Sequence, residues 1–203
     1  MKYRRFGKTE LQMPVLTCGG MRFQESWNSD DEISEESQQN LEACVRKAFD
    51  SGINHFETAR GYGTSEEQLG RILPQLPRDE IVVQTKVGGQ AKVQEFVDIF
   101  EHSMSLLKLD YIDIFSFHGI NNDECLENAL NCLEQAQKWK EQGRIRHIGF
   151  SSHATADILI KAIETDAFEH MNLHWFYIYQ DNWPAIVEAR KRDMGVFIIS
   201  PND

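Results

Sequence analysis

Short apolar segments alternate with amphipathic segments along most of this chain, and that alternation limits the folds it can adopt. Seven short runs are rich in β-branched and aromatic residues. Several of them are almost continuously apolar, as in strands buried on both faces of a parallel sheet. Between them lie six segments whose apolar residues recur at helical spacing. The predicted strands are residues 15–18, 53–57, 81–85, 112–117, 147–151, 171–175 and 196–200, and the predicted helices lie within residues 41–49, 64–73, 93–107, 126–142, 158–163 and 184–189.

Unbroken alternation of strands and helices predicts parallel βα units. No strand-like run is followed by G-x-G-x-x-G, so a Rossmann dinucleotide-binding fold has no support in the sequence. The alternative α/β architecture is the (β/α)8 TIM-barrel type, which usually takes roughly 250 residues. This chain has 203 residues and its pattern supplies about seven strands.

We therefore predict one domain over residues 1–203, an incomplete barrel truncated at its C-terminus. Residues 2–6 and 10–13 flank a turn-like Gly-Lys-Thr at residues 7–9. They predict an N-terminal β-hairpin that closes the bottom of the barrel. Residues 64–67, Thr-Ser-Glu-Glu, have the form of a capping box at the start of the second helix.

Charge and cysteine content exclude several classes of function. The chain has 32 acidic and 21 basic side chains, so no basic face for nucleic acid is predicted. No run approaches the ~20 apolar residues of a membrane span, and no apolar segment follows the basic N-terminus. The four cysteines contain no C-x-x-C pair, which is typical of reduced thiols in a cytoplasmic protein. We expect a cytoplasmic protein with no nucleic-acid partner, no membrane partner and no bound metal.

Four chemically active side chains lie at or just beyond the ends of three successive predicted strands. Glu57 ends the second strand, Tyr62 comes five residues later, Lys86 ends the third and His118 ends the fourth. Taken singly, each is more often structural, but in a barrel these strand ends converge on the mouth that carries the active site. A Lys ammonium can lower the pKa of a Tyr phenol from about 10, and a carboxylate can hold that Lys charged. The set predicts general acid catalysis of carbonyl reduction by Tyr62.

The chain also resembles a known family, the aldo-keto reductases. The resemblance is carried by GINHFETARGYG at residues 52–63, VQTK at residues 83–86 and GRIRHIGFSS at residues 143–152, with further matches at residues 3–9 and 109–118. It covers essentially the whole chain and implies a (β/α)8 barrel that reduces aldehydes and ketones with NADPH. The family's usual acid before the Tyr is Asp, so Glu57 is similar to a subgroup that has Glu there.

The resemblance implies a role for each of the four residues. Tyr62 would be the general acid, Lys86 would tune it, Glu57 would pair with Lys86, and His118 would orient the substrate carbonyl. It also implies cofactor contacts after the first, fifth and seventh strands, made by Gly19, Gly20, Met21, Ser151, Ser152, Ser200, Pro201 and Asn202.

Two other functions stay open. The missing eighth unit, Glu57 and the non-aromatic Ile199 favour a shortened, non-catalytic barrel that acts as a binding or regulatory protein. A metal-dependent hydrolase would use His55, His118, His153 and His174, but the first strand lacks the H-x-H that such barrels place there.

The early end of the barrel pattern has three explanations, namely a fragment of a longer reductase, a second copy that supplies the missing elements, or a shortened relative. An incomplete barrel leaves unpaired strand edges, which favour self-association through the open edge. The substrate itself is not readable from the sequence beyond a small carbonyl compound.

Overall fold

Residues 1–200, which the computed structural model describes, form a curled sheet of seven parallel strands with a helix after each of the first six. An antiparallel hairpin precedes the sheet, with strands β1 (Tyr3–Arg5) and β2 (Gln12–Pro14). Each strand of the sheet pairs with its neighbours in chain order. The strands are β3 (Cys18–Gly19), β4 (His55–Glu57), β5 (Val82–Val87), β6 (Ile112–Phe117), β7 (Ile145–Ser151), β8 (His170–Leu173) and β9 (Gly195–Ile198).

The helices return the chain from the end of one strand to the start of the next, as in repeated βα units. They are α1 (Glu35–Asp50), α2 (Ser65–Ile72), α3 (Val93–Leu107), α4 (Asp123–Glu141), α5 (Ala156–Glu164) and α6 (Trp183–Lys191). The prediction of an incomplete (β/α)8 barrel with seven strands and six helices is therefore confirmed.

The bounds of two strands, the first and the sixth, differ from those predicted from the sequence. The first runs only over Cys18–Gly19 instead of residues 15–18, because only these two residues pair with β4. The sixth ends at Leu173 instead of residue 175, because Phe176 and Tyr179 form a small antiparallel bridge of their own. Apolar content alone does not separate a strand from a loop that packs against one.

The capping box predicted at residues 64–67 is not formed. Thr64 holds the N-cap position of α2, but its side chain does not cap the helix. Its Oγ1 instead accepts a hydrogen bond from the Glu25 backbone N–H at 2.9 Å and donates one to Gln68 Oε1 at 2.9 Å. Thr64 therefore anchors the acidic loop after β3 to the barrel mouth.

The hydrophobic core lies between the sheet and the helices. The residues of β5 and β6 are buried throughout, and the large rings of α3 and α4 pack on the outer face of β6. Trp139 of α4 stacks on Phe100 of α3, with ring centroids 3.8 Å apart, and Phe115 of β6 meets both rings edge-on. This packing holds the strand ends at fixed positions around the barrel mouth.

The hairpin closes the bottom of the barrel, as predicted. Phe6 and Met13 pack with Val82 and Ile114 in a small apolar cluster at that end. The Lys8 backbone N–H donates to the Asp193 carbonyl oxygen at 2.5 Å, next to the start of β9. Within the described residues, β3 and β9 are not hydrogen-bonded to each other, so the barrel is open between them.

Candidate active site

The ammonium group of Lys86, near the C-terminal end of β5, is the centre of a buried polar cluster. Its Nζ donates hydrogen bonds to the Thr58 backbone oxygen at 3.0 Å and to Tyr62 Oη at 3.1 Å, and it forms an ion pair with Glu57 Oε1. The Lys86 side chain is 1% exposed and that of Glu57 is 9% exposed. An ammonium has three donors, of which two are used in these hydrogen bonds, while the Glu57 carboxylate supplies the opposite charge. The hydroxyl proton of Tyr62 is left free for another acceptor.

Burial governs the protonation of Tyr62 and Lys86. It raises the pKa of the Tyr62 phenol above its ordinary value and lowers the pKa of Lys86 well below that of a free lysine. The Glu57 carboxylate opposes the second shift, because it stabilises the charged ammonium. We expected from the sequence that Lys86 would lower the pKa of Tyr62; the loss of solvent around the phenol outweighs that effect. Tyr62 therefore keeps its proton at neutral pH, which is the form that a general acid needs.

His118 follows β6 and lies edge-on to the Tyr62 ring, with ring centroids 5.6 Å apart and an interplanar angle of 86°. Its backbone N–H donates to the Val87 carbonyl oxygen at 3.0 Å, which ties it to the strand that carries Lys86. Burial, with the nearby charges of Lys86 and His153, lowers the pKa of His118 to about 4. The imidazole is therefore neutral at pH 7 and carries one N–H that can donate to a carbonyl oxygen.

A second buried ion pair fixes the turn that carries Tyr62. Arg60 Nη1 lies 2.9 Å from Glu66 Oε2, and the Glu66 side chain has no exposed surface. Thr85 Oγ1 donates to the other oxygen of Glu66 at 2.6 Å. The Arg60 backbone N–H also donates to the Lys86 carbonyl oxygen at 2.9 Å. The turn between β4 and α2 and the first turn of α2 are thus bonded to β5 at Lys86 and Thr85.

These groups open onto a cavity of about 1600 Å³ that runs along the open side of the barrel, between β3 and β9. All four predicted catalytic side chains line it, and so do four of the six predicted cofactor contacts that lie within residues 1–200. The lining residues among the predicted ones are Glu57, Tyr62, Lys86, His118, Gly19, Met21, Ser151 and Ser200.

The remaining predicted cofactor contacts are placed differently. Gly20 packs beneath the mouth, where an added Cβ would lie 2.5 Å from Ser65 Oγ. The Ser152 hydroxyl donates to the Ile120 carbonyl oxygen at 2.7 Å and accepts from the Ala154 backbone N–H at 3.0 Å, so it is occupied in shaping the turn after β7. The predicted contacts of Pro201 and Asn202 lie outside the described residues. The cofactor role of all these positions stays a prediction.

Ser151 on the cavity wall, and Asn172 buried beside it, carry groups that fit the carboxamide of a nicotinamide ring. Ser151 Oγ accepts a hydrogen bond from the Gly119 backbone N–H at 3.2 Å, which leaves its own hydroxyl proton to donate. Asn172 is in register with Ser151 on the next strand, and its buried Nδ2 has no partner among the described residues. A hydroxyl and an amide N–H are suitable donors for an amide oxygen. The residues present therefore fit the nicotinamide end of a dinucleotide.

The sequence does not predict one further feature of the cavity. His153, after β7, and His174, after β8, both line it, and His174 Nε2 lies 2.7 Å from His153 Nδ1. The sequence suggests these histidines only as metal ligands. Among residues 1–200, no group of three or more His, Cys, Asp and Glu side chains is arranged to hold a metal ion. In the same part of the chain, no helix combines the length and apolar character needed to span a membrane.

Comparison with known proteins agrees with the resemblance to aldo-keto reductases seen in the sequence. The sequence model of the Aldo/keto reductase family matches residues 15–182. The L-glyceraldehyde 3-phosphate reductase of Escherichia coli is 30% identical over 171 residues, which cover 76% of this chain and 46% of that protein. The chain spans about half the length of the curated relatives it matches.

Solved structures share the fold at lower identity. The aldo-keto reductase of Bacillus halodurans in its holo form superimposes with a TM-score of 0.77 at 21% identity, covering 98% of this chain and 65% of that one. The aldo-keto reductase of Bombyx mori, determined in complex with NADP, gives a TM-score of 0.74 at 19% identity, covering 98% of this chain and 66% of that one.

Proposed function

This chain belongs to the aldo/keto reductase family, and on that premise we propose that it reduces an aldehyde or ketone with NADPH, using Tyr62 as general acid. The observation that carries the proposal is the contact of Lys86 Nζ with Tyr62 Oη at 3.1 Å, beside Glu57 and His118. The phenol faces a cavity large enough for a substrate and a nicotinamide ring. A reduced nicotinamide, when bound, supplies the hydride for the carbonyl carbon.

The protein's own groups act on the carbonyl oxygen. The neutral His118 donates a hydrogen bond that orients and polarises the carbonyl. As negative charge develops on the oxygen, Tyr62 gives it a proton, and a phenolate forms in its place. Lys86 already donates to that phenolic oxygen, so its ammonium stabilises the phenolate without any rearrangement. Glu57 keeps Lys86 charged in a buried site, where a lone ammonium would lose its proton.

Several groups would hold the cofactor in this proposal. Ser151 and Asn172 would hold the carboxamide of the nicotinamide, supported by the free hydroxyl proton of Ser151 and the unpaired Nδ2 of Asn172. Gly19, Met21 and Ser200 line the same cavity and would contact the rest of the dinucleotide. The family membership supports NADP as the cofactor class. A cytoplasmic location belongs to the same proposal, and the four free cysteines are consistent with it.

The test has two steps on the monodisperse 203-residue chain. NADPH binding is measured by fluorescence titration, and turnover is measured on a panel of aldehydes and ketones by following NADPH oxidation. Tyr62→Phe keeps the ring but removes the proton, so we expect kcat to fall roughly 10²- to 10⁴-fold. The NADPH affinity of Tyr62→Phe should stay within a few-fold of the unaltered chain.

Each other outcome has a definite meaning. Full activity of Tyr62→Phe would remove Tyr62 from the mechanism. A folded chain that binds no NADPH and reduces no carbonyl would favour the other function open to an incomplete barrel, that of a binding or regulatory protein.

A further inference from the structure

His153 and His174 form a directly hydrogen-bonded pair at the barrel mouth. His174 Nε2 and His153 Nδ1 are 2.7 Å apart, and the ring centroids are 4.7 Å apart. Both residues line the cavity that contains Tyr62 and His118. They also line a smaller adjoining cavity of about 260 Å³ with Phe176 and Tyr179. The pair therefore stands between the candidate catalytic groups and a second, partly aromatic space.

The backbone on both sides holds the pair in place. The His153 backbone N–H donates to Asn121 Oδ1 at 2.8 Å. The His174 carbonyl oxygen accepts from Nδ2 of Asn182 at 3.0 Å, and Asn182 is 1% exposed. Two loops that follow different strands are thus anchored by side chains that lie just before α4 and α6. An anchored pair of polar rings costs little further entropy when it binds a ligand.

The loop after β8 brings two aromatic rings beside the pair. The backbone groups of Phe176 and Tyr179 exchange two hydrogen bonds, at 3.1 and 2.9 Å, and their ring centroids are 5.9 Å apart. Gln180 Nε2 donates to the Phe176 carbonyl oxygen at 2.7 Å and so tightens the turn. His174 meets the Phe176 ring edge-on, with centroids 6.2 Å apart. Aromatic faces next to polar donors suit a ligand with C–H groups and hydroxyls.

The protonation state of the pair selects the kind of ligand. Burial, the neighbouring His174 and the charge of Lys86 lower the pKa of His153, which favours the neutral form of that ring. In a neutral pair one ring donates to the other, which leaves one N–H and one lone pair on the outer nitrogens, His153 Nε2 and His174 Nδ1. A hydroxyl both donates and accepts, so it can satisfy either nitrogen. A carboxylate only accepts and would face a lone pair unless the site took up a proton.

We propose that the His153–His174 pair, with Phe176 and Tyr179, binds hydroxyl groups of the substrate, and that the substrate is therefore a hydroxylated aldehyde or ketone. This inference rests on the proposed function, because it assigns a substrate class to the same cavity. It gives the pair the role of a specificity determinant. Tyr62 and His118 would handle the carbonyl oxygen, while the pair would hold hydroxyls farther along the substrate chain.

The first test compares glyceraldehyde with propanal, which has the same carbon chain without hydroxyls. We expect a higher kcat/KM for glyceraldehyde in the unaltered chain. In His153→Ala and His174→Ala, the glyceraldehyde-to-propanal ratio of kcat/KM should fall about tenfold, the effect of one lost hydrogen bond. His102→Ala is the matched control, because His102 is exposed on α3, away from the cavity, and the ratio should not change there.

A second test does not require turnover. The imidazole nitrogen resonances of His153 and His174 are followed by NMR as glycerol or malonate is added, with His102 as internal reference. Glycerol should shift both resonances selectively, and in His153→Ala the response of His174 should be lost. A selective response to malonate alone would show that the histidine pair binds an anion, and it would overturn the proposed hydroxyl site. No selective response to either compound would overturn the inference.

The two proposals fail separately. A chain that reduces no member of the carbonyl panel, glyceraldehyde and propanal included, contradicts the proposed function, and the NMR titration then decides the inference by itself. A chain that reduces both equally well, with a ratio unchanged in the histidine variants, supports the proposed function and overturns the inference.

Discussion

At the scale of single residues, the site depends on one lysine in an environment that lysines seldom occupy. Lys86 is 1% exposed, yet its ammonium donates two hydrogen bonds and forms an ion pair with the Glu57 carboxylate. A buried charge is tolerated when it is paired and hydrogen-bonded, and it is strongly destabilising when one partner is removed. The same contacts aim the ammonium at the oxygen of Tyr62. Stability and chemistry are therefore coupled at this residue.

This coupling predicts the stability of two variants. Lys86→Met leaves the Glu57 carboxylate buried without its partner, so the free energy of unfolding should fall by about 3–5 kcal/mol. Adding Glu57→Gln removes that charge and should restore part of the loss. Urea unfolding followed by circular dichroism measures both. Lys92→Met is the control, because its ion pair with Glu95 is exposed and should contribute less than about 1 kcal/mol. A Lys86→Met variant as stable as the unaltered chain would contradict a charged buried pair.

At the scale of elements, close contacts between helices position the strand ends that carry the site. Gly70 lies in α2, where an added Cβ would overlap the backbone carbonyl of Leu106 at the end of α3. The absence of a side chain allows α2 to approach α3 closely. The N-terminal end of α2 carries Glu66, which bonds to Arg60 and Thr85 behind the buried polar cluster around Lys86. A shift of α2 would therefore reach the turn that holds Tyr62.

The Gly70→Ala variant distinguishes the effect of helix propensity on stability from the effect of packing between α2 and α3. In an exposed helix this change stabilises by up to about 1 kcal/mol, because Ala is the better helix former. Here the new methyl group meets backbone atoms that cannot rotate away, so we expect a destabilisation of about 1–3 kcal/mol. Thermal and urea unfolding measure it. Gly88→Ala is the control, because a Cβ there lies 3.6 Å from its nearest neighbour, the His118 carbonyl oxygen. A stabilised Gly70→Ala variant would show that α2 and α3 are farther apart than described.

At the scale of the whole molecule, the main feature is the open side of the barrel, where a cavity and exposed apolar side chains lie together. The cavity extends along it from residues of the N-terminal hairpin to the buried polar cluster around Lys86 at the mouth. Val15 and Leu16, just before β3, are 53% and 59% exposed there. Unpaired strand edges beside exposed apolar side chains favour association with another copy of the chain.

We therefore expect the 203-residue chain to self-associate through this edge. Size-exclusion chromatography with light scattering should give a mass above that of one chain, and Leu16→Lys should shift it toward the monomer. Ile178→Lys is the control, because Ile178 is 80% exposed on the loop after β8. A monomeric unaltered chain would contradict the expectation. If only Ile178→Lys disrupted the oligomer, the interface between copies would lie at the loop after β8 and not at the open edge.

The sequence by itself determined the architecture and brought together the residues predicted to be catalytic. Strand and helix periodicity arise from local backbone geometry, and strand ends in a parallel barrel converge on one mouth. Glu57, Tyr62, Lys86 and His118 could therefore be brought together without knowledge of any contact. Only the tertiary structure decided which neighbours of these residues face the cavity. Ser151 does, whereas the adjacent Ser152 bonds inside a turn. The His153–His174 pair joins loops 21 residues apart in sequence. The direction of a side chain in a loop depends on hydrogen bonds to distant residues, which no local pattern records.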